Sequence, residues 1–286
     1  YTAVQNAIDA AYADGADYVF AIGHMGDYVY DDRWSSIAVF EHVSGLTGFI
    51  DGHSHSEIIA EGWGKDGSDV WLTSTGTKLQ TIGQITITPD REVSCELIRK
   101  GDYTVSTDEN SAEYKAYQHM SDFIAGINGQ YNELVETVVA KTDVELPICD
   151  PDTGARAVRS SETNLGDLCA DAYRAKTGAD IGLINGGGVR ANIAAGDITY
   201  GNIIEVQPFG NSLCVVEATG QQILDCLEMG ARYAPEESGA FMQVSGLSYT
   251  VNTYIPSSVT TDENGKFISV DGEYRVSDVL VNGEPL

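Results

Sequence analysis

The sequence predicts a mixed α/β chain of two domains joined by one long helix. The length of 286 residues suggests about two domains, each large enough to bury its own core. Helix and strand patterns alternate along both halves of the chain. Between them, apolar residues recur at steps of three and four from 117 to 138, which indicates a single helix.

The first hundred residues alternate helix and strand patterns. An apolar stripe over 4–12 indicates a helix, and a strand over 17–22 follows it. A second helix fits 34–43, and the next strand covers 47–51. Three later runs have strand character: 70–74, 79–88 and 92–99.

The middle of the chain predicts the long helix. Its apolar stripe consists of Tyr117, Met120, Ile124, Ile127, Tyr131, Leu134 and Val138. At 1.5 Å per residue, a helix over 111–139 would be roughly 40 Å long. Its place between two different patterns favours a connector between domains, although the stripe could also pack on one domain.

A second α/β pattern follows. Thr163 or Asn164 can cap a helix that runs through Lys176. Thr219 and Gln222 have the spacing of a capping box, which opens a further helix. The remaining predicted elements are a short helix from Thr199 and strands over 180–184, 213–218, 244–251 and 274–281.

The charge of the chain limits its partners. Forty-three acidic residues against sixteen basic ones give a net charge of −27. Such a surface repels nucleic-acid polymers and anionic membranes, so a bound phosphate needs a local cation. The longest apolar runs have strand length, and no transmembrane segment is predicted. The five cysteines lack the paired spacing of a zinc knuckle, and Cys169, Cys214 and Cys226 are interpreted as small core residues.

Three histidines follow two predicted strands. His24 comes directly after the first strand, while His53 and His55 follow the second one. Strands that end in Gly-His deliver imidazoles to the carboxyl end of a sheet, where open α/β folds place their ligands. Neutral imidazole is the commonest protein ligand for zinc and similar metals. The pattern therefore favours a shared metal site over ordinary loop histidines.

The second half carries a glycine-rich phrase, Asn185-Gly-Gly-Gly-Val-Arg190, directly after an apolar strand. Its glycines, which include Gly187 and Gly188, would let a ligand approach the backbone and allow positive φ angles. Arg190 offers a fork for phosphate, and Arg159 with Arg156 beside it could add a second cation. A plain surface turn and surface ion pairs remain alternatives.

A third phrase is Gln207-Pro-Phe-Gly-Asn211. Proline and glycine around Phe209 indicate a turn that could hold the ring at the surface. Such a ring can stack on a nucleobase, which contributes about 1–3 kcal/mol. The alternative is a phenylalanine tucked into the core.

Taken together and in order, these phrases resemble the 5′-nucleotidase family, whose members include UDP-sugar hydrolases and 2′,3′-cyclic-nucleotide phosphodiesterases. Besides the phrases above, Thr163-Asn-Leu-Gly166 carries the resemblance. It implies an α/β (α+β) fold: the C-terminal part of a calcineurin-like metallophosphatase αββα sandwich, a long linker helix, and most of a C-terminal αββα nucleotide-binding domain. The implied boundaries are 1–107, 108–140 and 141–286.

The resemblance also implies roles for residues. His24 and His53 correspond to ligands of one divalent metal and His55 to a ligand of a second one, with zinc, manganese and cobalt all suitable. The implied substrate contacts are those of Arg159, Asn185, Gly187, Gly188, Arg190, Phe209 and Asn211. The implied reaction is hydrolysis of nucleotide phosphate esters by a secreted, periplasmic or cell-wall enzyme.

Parts of the family pattern are absent from the sequence. The other metal ligands and the catalytic His–Asp pair are expected upstream of Tyr1, and a second base-stacking ring beyond Leu286. We therefore expect both ends to be truncated and the chain alone to be inactive, with no catalytic residue assigned. Hydrolysis of cyclic nucleotides or UDP-sugars, a non-catalytic nucleoside-binding module and a structural protein stay open. The oligomeric state is not predicted.

Overall fold

The computed structural model describes residues 1–27 and 32–286. The chain divides into two compact units, 1–120 and 121–286, and the division falls inside the long helix α3. The elements up to this helix are α1 (Thr2–Ala13), β1 (Phe20–Ile22), α2 (Ser36–Glu41), β2 (Gly48–Asp51), β3 (Glu57–Trp63), β4 (Asp69–Thr75), β5 (Thr81–Ile87), β6 (Val93–Arg99) and α3 (Ala112–Val135).

The first unit is built around a four-stranded sheet in the order β1-β2-β4-β3. Strands β1, β2 and β4 are parallel, and β3 is antiparallel to β4. In this register Ile22 faces Ile50, and Asp51 faces Ser74. The carboxyl ends of β1 and β2 therefore lie side by side at one edge of the sheet.

Apolar residues of two helices cover this sheet. Its buried core consists of Ile8, Val39, Phe40, Val43, Leu46, Phe49, Val70 and Leu72. Ser35 caps α2, because its hydroxyl accepts the N–H of Ala38 at 3.0 Å. Strands β5 and β6 form a separate antiparallel hairpin.

The second unit contains β7 (Val138–Thr142), α4 (Asn164–Thr177), β8 (Gly182–Asn185), β9 (Gly196–Thr199), α5 (Tyr200–Val206), α6 (Gly220–Ala231), β10 (Met242–Ser245), β11 (Leu247–Val251), β12 (Val259–Thr261), β13 (Phe267–Val270), β14 (Val276–Val281) and β15 (Glu284–Pro285). Its small sheets pair β7 with β9, β8 with β10, β12 with β13, and β11 with β14 and β15. One buried cluster, which includes Leu165 and Ile193, lies under α4, and another, which includes Leu227 and Val276, lies under α6.

Most predicted elements are confirmed, and the predicted caps are present. Thr163 caps α4, and Thr219 forms a complete capping box with Gln222 at the start of α6. The long helix is continuous over Ala112–Val135 and contains no buried residue. Its predicted extension to 139 is wrong, since Val138 begins β7. No helix among residues 1–27 and 32–286 is long and apolar enough to cross a membrane.

The predicted strand over 213–218 is wrong. This segment has no regular structure, and Val215 and Val216 are exposed, because no described strand pairs with it. Cys214 is likewise exposed rather than a core residue, and all five cysteines are free thiols. The run over 244–251 is two strands, since Gly246 takes φ +71° between β10 and β11. Strands β3, β7, β9, β12, β13 and β15 were not predicted.

Candidate functional site

The first candidate site lies at the carboxyl edge of the parallel strands. We call it the histidine edge and define it as residues 23–27 and 51–56. The rings of His24 and His53 meet edge to face, with 5.2 Å between centroids and 78° between planes. Both side chains are exposed. The predicted convergence of these two histidines is thus present in the structure.

Glycines allow the two loops to approach. A Cβ on Gly23 would lie 2.7 Å from the Phe49 ring, and one on Gly52 would lie 3.0 Å from Nδ1 of His24. His53 and His55 both have left-handed backbone, with φ of +77° and +58°. Residues with a side chain rarely adopt this backbone conformation, so contacts with surrounding residues must hold the turn.

Hydrogen bonds join the two loops. The Gly23 N–H donates to the carbonyl of Ile50 at 2.9 Å. The Met25 N–H donates to Oδ1 of Asp51 at 2.8 Å, and the hydroxyls of Ser54 and Ser56 both donate to Oδ1 of Asp27. Sequence reasoning missed both carboxylates. An acidic residue two positions after the buried Phe49, at the end of an apolar run, was the available signal for Asp51, and Asp27 had none.

Two adjacent imidazoles fit part of a metal coordination shell. Structural and catalytic zinc sites use three or four protein ligands. In the described part of the chain, no group of three or more His, Cys, Asp or Glu side chains is arranged to hold a metal ion. His55 therefore belongs to no such group, although it lies on the same turn as His53. The pair can supply two nitrogen donors to one cation.

The second candidate site is the glycine turn, residues 185–190, in the second unit. A Cβ on Gly186 would lie 1.9 Å from the carbonyl oxygen of Val158, and one on Gly187 would lie 2.9 Å from the Gly239 backbone. The N–H groups of Gly186 and Gly187 donate to the carbonyls of Phe241 and Gly239 at 2.7 and 3.0 Å.

The turn therefore needs glycine for close packing. The expectation of positive φ at these glycines is wrong, since residues 186–188 form a short 3₁₀ turn with ordinary φ. The backbone N–H groups of Gly186, Gly187, Val189 and Arg190 are all bonded within the protein. The groups that this turn can still offer to a ligand are therefore mainly side chains.

Arg190 and Phe209 form a stacked pair. The guanidinium carbon of Arg190 lies 5.5 Å from the centroid of the Phe209 ring, and its Nη1 donates to the carbonyl of Gly187 at 3.2 Å. Phe209 is 59% exposed, so the alternative of a core phenylalanine is wrong. The pair combines a cation with an accessible aromatic face.

A cavity of about 470 Å³ lies beside the glycine turn. The predicted residues Asn185, Gly188 and Asn211 line it, together with Tyr173, Gln207 and Leu213, which sequence reasoning missed. The Tyr173 hydroxyl donates to Gln207 at 3.2 Å. Burial raises the pKa of the Tyr173 hydroxyl and of the neighbouring Cys169 thiol, so both stay neutral at physiological pH.

The two arginines upstream of α4 differ. Arg156 makes a salt bridge to Glu237 at 2.7 Å, as the surface-pair alternative for it implied. The Cα of Arg159 lies 3.2 Å from the Cβ position of Gly186, so its backbone packs against the glycine turn. Of the two, the structure brings Arg159 closest to the predicted substrate residues.

A cluster of three carboxylates, Glu162, Asp167 and Asp171, lies just before α4 and within it. Burial raises the pKa of Asp167 from 3.8 to about 6, and the charges of Glu162 and Asp171 contribute to the same rise. These three carboxylates line a separate cavity of about 540 Å³. No predicted site residue lines that cavity.

Comparison with known proteins gives concordant matches. The family model "5′-nucleotidase, C-terminal domain" matches residues 138–286. The trifunctional nucleotide phosphoesterase protein YfkN of Bacillus subtilis (strain 168) is 31% identical over 237 residues, which are 81% of this chain and 15% of that protein. A 5′-nucleotidase of Vibrio cholerae serotype O1 is 35% identical over 165 residues, or 58% of this chain and 28% of that one.

Among solved structures, the 5′-nucleotidase precursor of Thermus thermophilus aligns with a TM-score of 0.62 and 26% identity. The alignment covers 94% of this chain and 54% of that one. The chain thus spans only part of the length of these relatives. The predicted fold class, with calcineurin-like and C-terminal domain architecture, agrees with this likeness.

Proposed function

This chain belongs to the 5′-nucleotidase family through its C-terminal domain, and we propose that it is part of a metal-dependent phosphoesterase that releases phosphate from nucleoside 5′-monophosphates. Its relatives are named as nucleotidases and nucleotide phosphoesterases. The reaction belongs to the hydrolase class. The division of labour that we propose follows the boundaries 1–107 for the metallophosphatase part, 108–140 for the linker and 141–286 for nucleotide binding.

The observation that carries this proposal is the Arg190–Phe209 pair. Gly188, Gln207 and Asn211, each two residues from a member of the pair along the chain, line the cavity. A nucleotide offers a flat base and a phosphate, and the pair offers an aromatic face and a guanidinium. Stacking on an aromatic face contributes about 1–3 kcal/mol per base. A guanidinium binds phosphate oxygens through two parallel hydrogen bonds. We assign Arg159, Asn185, Gly187, Gly188 and Asn211 to the same substrate site.

The histidine edge is the proposed metal-binding part. His24 and His53 would hold one divalent cation, and His55 would bind a second one. When bound, such a pair of ions activates water and stabilises the phosphoryl oxygens of the transition state. The arginines bind and orient the ester, and their charge offsets the negative charge that grows on the phosphate. Zinc, manganese and cobalt all suit imidazole ligands.

Phosphate release from 5′-AMP tests the proposal. The assay uses the complete gene product with and without EDTA, together with H53A as the matched variant and the 286-residue chain for comparison. We expect turnover that EDTA abolishes and that H53A lowers by at least about tenfold, since removing a metal ligand removes the cation. EDTA-resistant turnover, or full activity of H53A, would refute the metal assignment.

A substrate panel separates the alternatives within the family. 5′-AMP, 2′,3′-cyclic AMP and a UDP-sugar are compared by kcat/KM, and the preferred substrate identifies the class. Adenosine binding without hydrolysis of any of the three would instead support a nucleoside-binding module. For localisation, we propose export to the periplasm, the cell wall or the medium, which fractionation of the source cells would test.

A further inference from the structure

We propose that Asp51 and Asp27 are positioning residues, and that each one fixes the loop that carries a histidine on the opposite side of the histidine edge. The inference rests on the proposed metal-dependent function. It concerns how the imidazoles are held and does not add a metal ligand. The carboxylate of Asp51, in the second loop, fixes the loop of His24. The carboxylate of Asp27, in the first loop, fixes the turn of His55.

Asp51 acts on the loop of His24. It is the last residue of β2 and is 9% exposed. Its Oδ1 accepts the N–H of Met25, the residue directly after His24, at 2.8 Å. A partly buried N–H without an acceptor is unfavourable, so this bond selects the path of the loop beyond β1.

Only one oxygen of the Asp51 carboxylate has a hydrogen-bond partner among the described residues. Oδ2 of Asp51 is buried and has no hydrogen-bond partner among the described residues. Its register neighbour Ser74 is 2% exposed, and its hydroxyl also has no partner among them. An asparagine would keep the acceptor for Met25 and remove the charge. The positioning role therefore depends on the acceptor at this place and not on the charge of the side chain.

Asp27 acts on the turn of His55. Its Oδ1 accepts hydrogen bonds from the hydroxyls of Ser54 and Ser56, the latter at 3.1 Å. These serines flank His55, whose φ of +58° is unusual for a residue with a side chain. A bond on each side of the strained residue holds the turn in place.

The two carboxylates thus connect the loops in opposite directions. Three side-chain bonds and the bond from Gly23 to Ile50 cross between the two strand ends and their loops. Metal ligands held by such outer contacts keep their orientation, and loss of these contacts typically lowers metal affinity roughly 10–100-fold. The adjacency of the His24 and His53 rings follows from these connections.

The test uses NMR of the chain labelled with ¹³Cε1-histidine. Five histidines give five signals, and His42 and His119 serve as internal references outside the histidine edge. Zn²⁺ alone is the probe. In the unmodified chain we expect Zn²⁺ to shift His24, His53 and His55. The readout is the zinc affinity of each signal and does not depend on enzymatic activity.

Two variants of Asp51 separate the effect of its hydrogen bond to Met25 from the effect of its charge. D51N keeps the acceptor and removes the charge, whereas D51E keeps the charge and displaces the acceptor by one methylene group. We expect D51N to retain zinc affinity at His24 and His53 within about threefold, and D51E to lose about tenfold or more. S74A is the matched control and should leave all signals unchanged. Equal affinity in D51E and the unmodified chain would overturn the role of Asp51, as would a loss in D51N as large as in D51E.

The double variant S54A/S56A tests Asp27 and also covers the case that D51E does not fold. It removes both hydroxyl donors and should weaken the zinc response of His55 more than that of His24. An unchanged response of His55 would overturn the role of Asp27. If zinc shifts none of the three histidines in the unmodified chain, the proposed metal function fails as well. A normal response there with no effect of any variant overturns the positioning roles alone.

Discussion

In the first unit, side-chain hydrogen bonds hold the histidine edge together, whereas in the second unit close backbone packing holds the glycine turn and leaves no room for a side chain at Gly186. The carboxylates of Asp27 and Asp51 bridge two loops whose histidines face solvent. At Gly186, two backbone segments touch directly. Substitutions can change the bonds of the first arrangement while its backbone stays in place. The second one accommodates a methyl group at Gly186 only if a backbone segment moves.

The largest expected effect comes from adding that methyl group. In G186A the new Cβ would lie 1.9 Å from a backbone oxygen, so one of the two segments has to move. We expect the free energy of unfolding to fall by on the order of 3 kcal/mol, as in overpacked cores. Urea denaturation measures it.

G126A is the matched control for this substitution. Gly126 lies inside α3 with no atom within 4 Å of its Cβ position. Alanine there should raise stability by up to about 1 kcal/mol through helix propensity. Equal unfolding midpoints for G186A and the unmodified chain would show that the glycine turn tolerates side chains after all, and the contrast between the units would disappear.

The next effect concerns ligand binding by the second unit. F209A removes the exposed ring and should weaken adenosine binding by about 1–3 kcal/mol. R190M should weaken 5′-AMP more than adenosine, because it removes the cation for phosphate. Calorimetry measures both affinities. The control is Y254A, because it removes an aromatic ring elsewhere in this unit that is 96% exposed. If Y254A and F209A weaken adenosine equally, the assignment of Phe209 is wrong.

A smaller effect on stability is expected in the first unit, from a substitution at Asp51. D51N should raise the free energy of unfolding of the metal-free chain by about 1 kcal/mol, because a neutral amide is less costly to bury without a partner than a carboxylate oxygen. Urea denaturation of D51N and of the S74A control measures this difference. A loss of stability in D51N would show that the carboxylate serves the fold itself.

The smallest effect is a pH-dependent change in stability caused by Asp167 in the first turn of α4. The pKa of Asp167 is raised from 3.8 to about 6, so the folded state holds this proton more tightly than the unfolded chain does. Stability from this group is therefore present below about pH 4 and is lost as pH rises through 6. D167N should raise Tm at pH 7.5 by on the order of 2 °C and leave it unchanged at about pH 3.5. A Tm difference that does not vary with pH would contradict the assigned cause.

Local signals made much of the fold predictable. Thr163 and Thr219 were recognisable as caps because the bonds that define a cap lie within four residues of sequence. Pairing partners are not local, which explains the false strand over 213–218 and the strands that were not predicted. The run 213–218 has strand composition and no partner among the described strands, whereas β3 pairs with β4 despite a mixed composition.

The same difference between local and non-local signals explains which parts of the candidate sites could be predicted. His24 and His53 were predicted together because parallel strands bring their carboxyl ends to one edge. Asp27 was not predicted, since its role depends on hydroxyls that lie 27 and 29 residues away. The glycines were identified for the wrong reason: positive φ was expected, and close backbone contact is present.

The left-handed backbone at His53 and His55 also limits how this site can evolve. Few residue types other than glycine occupy that region readily, and asparagine, aspartate and histidine are the enriched ones. All three carry a metal donor atom. Single replacements that preserve the turn would therefore exchange nitrogen donors for oxygen donors, and with them the preference shifts towards harder cations. The shape of the backbone would thus let mutation change which metal the proposed site prefers while the turn itself persists.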